Sequence, residues 1–90
     1  MLESAIEARS VKYARSFKCE AFKLSGRSAP DRLILVPGKG LFFVEFKAPG
    51  KKPRDDQKRE HARLRKQGYD VFVIDDFDDF RTALNWAIDE

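Results

Sequence analysis

The chain has 90 residues, enough for one compact domain and too few for two. Its 37% charged residues and lack of an apolar run near the ~20 residues of a membrane span exclude a membrane protein. One cysteine, Cys19, excludes an internal disulfide and a cysteine-built zinc site, so a reducing, intracellular setting is expected. That means the cytoplasm, with nucleoid association if the source is bacterial or viral.

Charge is unevenly spread. Residues 1–69 hold 17 Lys and Arg against 8 Asp and Glu, whereas residues 70–90 set Arg81 against seven acids. A basic body suits a polyanion, nucleic acid first among them. An ordinary solvated surface with an acidic tail fits the same count.

In chain order, residues 3–17 read as a helix, with Leu2, Ile6, Tyr13 and Phe17 at helical spacing and Ser10 and Ala14 on the same side. Its acidic start, without a continuous apolar segment, does not read as a signal peptide. Lys18 to Leu24 alternates as a strand, with Phe22 and Leu24 on one face and Ala21 and Lys23 on the other. After a loop over Ser25 to Pro30, Asp31 to Val36 reads as a second strand. Pro37-Gly38-Lys39-Gly40 turns it back through Leu41 to Lys47. Pro49, Gly50 and Pro53 interrupt regular structure. Asp55 is expected to cap a helix running to about Gln67, where Gly68 stops it. Tyr69 to Ile74 is a nearly continuous apolar strand, as an interior position would require. Asp75 or Asp76 caps a last helix with an apolar stripe of Phe77, Phe80, Leu84, Ala87 and Ile88. The order αβββαβα describes one α/β domain over residues 1–90, a mixed sheet flanked by helices.

Strand period sets Phe42, Val44 and Phe46 on one face and Phe43, Glu45 and Lys47 on the other. Folding the hairpin about residues 37–40 brings Asp31 opposite Glu45 to Lys47. Two carboxylates and a lysine thus meet at one end of the hairpin. Two hard oxygen ligands on rigid strands suit Mg²⁺ or Mn²⁺, which could polarise a phosphate, with Lys47 to orient or deprotonate a water. The same spacing also fits an Asp31–Lys47 cross-strand salt bridge with Glu45 solvated.

Gly26-Arg27-Ser28-Ala29-Pro30-Asp31-Arg32, Phe43-Val44-Glu45-Phe46-Lys47-Ala48-Pro49-Gly50, and Gln57 in the next helix together resemble the VRR-NUC domain. This family is a branch of the PD-(D/E)xK nucleases with a restriction-endonuclease-like fold. Ala29 departs from the family, which usually has glycine or a branched residue there, and is expected to alter loop shape. The resemblance implies that Asp31 and Glu45 are metal ligands, joined by the backbone carbonyl of Phe46, and that Lys47 is the catalytic lysine. It implies that Gln57 reaches toward the metal water or the scissile phosphate. Ser4-Ala5-Ile6-Glu7 is similar to the first helix of related resolvases, where a glutamate completes the metal site. Glu7 is preferred for that role because Ile6 and Ser10 flank it on the buried stripe, with Glu3 the competitor one turn earlier. The small virus-type members imply a homodimer acting on branched DNA such as Holliday junctions.

Lys23, Arg27 and Arg32 flank the Pro-Asp loop, and Lys51, Lys52 and Arg54 follow the Glu-x-Lys strand. They are the expected phosphate handles, giving salt-dependent affinity without base readout. His61 is expected to be structural or substrate-contacting, and Cys19 a small buried residue. The competing expectation is a nucleic-acid-binding module that keeps the fold and basic loops but does not cut.

Overall fold

The turn at residues 37–40 organises the sheet. In this computed structural model, which describes residues 2–89, Pro37 and Gly38 occupy the second and third turn positions. Gly38 takes φ +70°, and the Lys39 N–H donates to the Val36 carbonyl at 3.0 Å. Proline followed by a residue at positive φ suits a type II turn. Strand β2 (Arg32–Val36) returns through it as β3 (Gly40–Phe46), pairing Leu33 with Phe43 and Arg32 with Val44. Continuing that register sets Asp31 opposite Glu45.

β1 (Glu20–Lys23) adds to β2 antiparallel, and β4 (Val71–Ile74) adds to β3 in parallel. The sheet order is β1-β2-β3-β4, a mixed sheet as expected. Three helices complete the order αβββαβα: α1 (Glu3–Ser16), α2 (Asp55–Lys66) and α3 (Phe77–Asp89). Met1 and Glu90, the second of which was counted in the acidic segment, lie outside the described residues.

The face formed by Ile34, Val36, Phe42, Val44 and Phe46 is buried and carries the core, with Ile6, Val11 and Ala14 of α1 and Phe80 and Leu84 of α3. Ala87 and Ile88 of the expected α3 stripe are partly buried against it. The Asp78 N–H donates to Asp76 Oδ1 at 2.9 Å, so Asp76 caps α3. Among the described residues, no helix is long and apolar enough to cross a membrane.

Two expectations are corrected. β4 is an edge strand, not an interior one, because only β3 hydrogen-bonds to it. Its apolar run reflects cover from α3 and α2, both of which touch it, while Val73 remains 37% exposed. Asp55 is the first residue of α2 and not its cap. Arg54 holds the cap position, and its backbone N–H donates to the Gln57 side-chain oxygen at 2.9 Å.

Candidate active site

β3 delivers Glu45, and Lys47 just past its end, to the sheet face opposite the core, and the loop before β2 delivers Asp31. Asp31 is locked by the backbone: the Phe46 N–H donates to its Oδ2 at 2.7 Å. Glu45 is not solvated, as an exposed strand face would have it, but only 2% exposed. The cause is α2, whose Gln57 and His61, four residues apart, turn inward and lie over it. Gln57 Nε2 donates to Glu45 Oε2 at 3.1 Å, and Lys47 Nζ stands 3.5 Å from the same oxygen. The salt bridge on this face is therefore Lys47 with Glu45 rather than with Asp31.

The electrostatics follow from burial. Loss of water raises the Glu45 carboxyl to about 7, and the neighbouring Asp31 charge adds to the rise against the opposing pull of Lys47. Asp31 is also raised, chiefly by burial and then by Glu7, while its bond from the Phe46 N–H acts in the other direction. The His61 imidazole is pushed down by burial and by the charges of Arg65 and Lys47. Two carboxylates faced by one ammonium leave negative charge in a desolvated place. Glu45 Oε1 is buried with no hydrogen-bond partner. This donor set of hard oxygens short of positive charge fits a divalent cation. Among the described residues, however, no three His, Cys, Asp or Glu side chains gather into a ready-made cage.

No protein-family profile matches the chain. The protein named "Putative nuclease p44" of Acyrthosiphon pisum secondary endosymbiont phage 1 is 43% identical over 79 residues, 84% of this chain and 85% of that protein. A solved structure described as a VRR_NUC domain superposes with a TM-score of 0.84 at 33% identity, over 92% of this chain and 94% of its own. The chain belongs to the VRR-NUC family.

Within this VRR-NUC domain, the structure brings together Asp31, Glu45, Lys47 and Gln57. Glu7 stands apart from them in an ion pair: Arg32 Nε donates to Glu7 Oε2 at 2.8 Å. It is near enough for its charge to act on Asp31. Glu3, the competitor, is exposed, and its charge acts weakly on Glu45. Arg32 does not project as a free phosphate handle, because a second bond to the Ala21 carbonyl at 3.0 Å holds it inward beside Glu7. The cause is its register: it pairs with Val44 and Lys23 and so shares the face that α1 covers.

Lys23, Arg27, Lys51 and Lys52 are exposed around the site. Arg54 is half occupied, donating to Asp56 Oδ1 at 3.1 Å and to the Arg27 carbonyl at 2.9 Å. Asp56 also accepts from Ser28 Oγ at 3.0 Å, so it ties the Pro-Asp loop to the start of α2. Hydrogen bonding from Arg54 holds its carboxyl down to about 2. The Asp75 carboxylate accepts the Gly50 N–H at 3.0 Å and pins the loop after β3. Sequence reasoning missed both acids. Aspartates near helix starts are common there, and nothing local names their distant partners.

Proposed function

We propose that this VRR-NUC nuclease is a Mg²⁺- or Mn²⁺-dependent endonuclease that hydrolyses phosphodiester bonds in DNA. The observation that carries the reading is the desolvated pair Asp31 and Glu45 beside Lys47. Binding nucleic acid alone has no use for a buried and a half-buried acid that repel phosphate, so this pair favours cutting over the non-cleaving module.

Asp31, Glu45 and the Phe46 carbonyl would hold the cation; Glu7, whose Oε2 is tied to Arg32, would have to move in to add its other oxygen. When bound, the cation supplies positive charge that neutralises the phosphate and acidifies water. Gln57 fixes the Glu45 carboxylate. Lys47 orients the attacking water and stabilises charge as the P–O bond breaks. Lys23, Arg27, Lys51, Lys52 and Arg54 grip the sugar-phosphate backbone on both sides of the site.

A homodimer acting on branched DNA completes the reading. The sheet face opposite the core is apolar over Phe22, Leu33, Leu35, Leu41 and Phe43, and α2 lies on its Glu45 and β4 side. Phe22 is 48% exposed and Leu35 39%, a surface that suits a second copy. The aromatics Phe42, Phe77 and Phe80 are consumed by the core and Phe72 packs partly against it, whereas Trp86 is 51% exposed.

The test is cleavage of supercoiled plasmid and of synthetic four-way junctions with Mg²⁺, Mn²⁺ or chelator, beside Asp31→Asn and Lys47→Ala. Metal-dependent cutting lost in both variants is expected. Cutting unchanged by either variant overturns the site, and binding without cutting in any metal returns the module reading.

A further inference from the structure

The two oxygens of Glu45 are treated differently. Oε2 receives Gln57 and faces Lys47, whereas Oε1 has no partner. His61 Nε2, equally buried and equally unpartnered, lies 3.6 Å from Oε1. Both residues are at most 2% exposed, so neither atom can turn to bulk water. A donor and an acceptor left unmet side by side in a core are each costly, and one hydrogen bond between them satisfies both. Closing 3.6 Å to bonding distance needs only a few tenths of an ångström. An apolar side chain would fill the same space with no orphaned atom. One helical turn from Gln57, His61 instead brings a second donor to the same carboxylate.

We propose that His61 is a positioning residue for Glu45: its Nε2–H donates to Oε1 and, with Gln57 on Oε2, fixes the carboxylate's plane for cation binding. Each carboxylate oxygen carries a further lone pair, so the bond leaves Glu45 free to ligate. Donors behind a ligating carboxylate orient it and tune its affinity. The inference rests on Glu45 being a cation ligand, and its test separates the two claims.

His61 is the one histidine in the chain, so ¹⁵N-histidine labelling reports on it without assignment. At pH 8 in chelator, above the ordinary imidazole pKa, the spectrum gives the tautomer directly. Nε2 is expected to carry the proton, and an Nδ1–H tautomer with bare Nε2 overturns the proposal. Mn²⁺ affinity, measured by electron paramagnetic resonance, is expected to fall about 10- to 100-fold in His61→Phe. It is expected to recover to within a few-fold of wild type in His61→Gln, whose amide restores a donor. A folded His61→Phe that binds Mn²⁺ like wild type also overturns it. If wild type itself binds no Mn²⁺, the cation reading fails, and the tautomer still decides whether His61 holds Glu45.

Discussion

Glu45 stores a proton more tightly in the folded chain than in the unfolded one, and that sets the sign of its effect on stability. Its carboxyl moves from the ordinary 4.5 to about 7 on folding. A raised pKa contributes stability that is complete below 4.5 and lost as pH climbs through 7. Asp31, also raised, acts with the same sign. His61 is lowered, so its contribution is present above its ordinary 6.5 and lost on acidification. The two effects oppose each other from 4.5 until the unfolded imidazole is fully neutral, somewhat above 6.5. In chelator, denaturation free energy is expected to fall by about 0.5 kcal/mol from pH 6.5 to 8, the loss at Glu45 being partly offset by His61. Glu45→Gln should remove most of that slope in urea titrations. An unchanged slope in the variant would show that Glu45 is not the group responsible. Mg²⁺ added at pH 8 should raise the midpoint of wild type and leave Glu45→Gln where it was.

At the scale of elements, α2 depends on Gln57 twice. Its oxygen takes the Arg54 N–H at the helix start and its amide donates to Glu45, so one side chain joins the cap to the sheet. Gln57→Ala leaves a buried carboxylate oxygen and a helix-end N–H short of partners, an expected loss of about 1–3 kcal/mol in equilibrium unfolding. A loss below about 0.5 kcal/mol would mean that water replaces both bonds, as it does for ordinary surface changes. How far this element was readable in advance depends on what periodicity encodes. Helical repeat alone puts residues 57 and 61 on one face of α2, and strand repeat alone sets the alternation of residues 42–46. Period two assigns Glu45 to a face but cannot say that another element covers that face, so its burial was hidden. The run from Tyr69 to Ile74 revealed cover on both sides, whereas edge position depends on hydrogen-bond partners that leave no mark in composition. Arg32 was misjudged for a related reason, since loop proximity suggested solvent while its strand register turned it toward Glu7. The Asp31–Glu45 meeting was legible because turn position alone sets hairpin register.

Across the whole molecule, the basic loops and the bare sheet face make separate demands. Lys51 and Lys52 are exposed beside the site and bonded to no acid among the described residues, so they should act as plain phosphate contacts. Lys51→Ala with Lys52→Ala is expected to weaken DNA binding about equally for every sequence and to reduce the slope of log K against log salt by about 2. An unchanged slope would move the DNA path elsewhere. The uncovered apolar face should govern assembly. Phe22 and Leu35 sit on it half out in solvent and outside the core cluster, so a charge there costs the isolated fold little. A charge buried between two copies without a partner costs far more. Phe22→Asp or Leu35→Asp should therefore convert a dimer into a folded monomer in sedimentation velocity runs at tens of micromolar protein. Wild type sedimenting as a monomer at that concentration, or either variant remaining dimeric, would remove this face as the interface. Cleavage of plasmid should survive in the monomer if each site is complete within one chain, while paired cuts across a four-way junction should be lost, because two linked sites are what a two-fold pair presents to two strands.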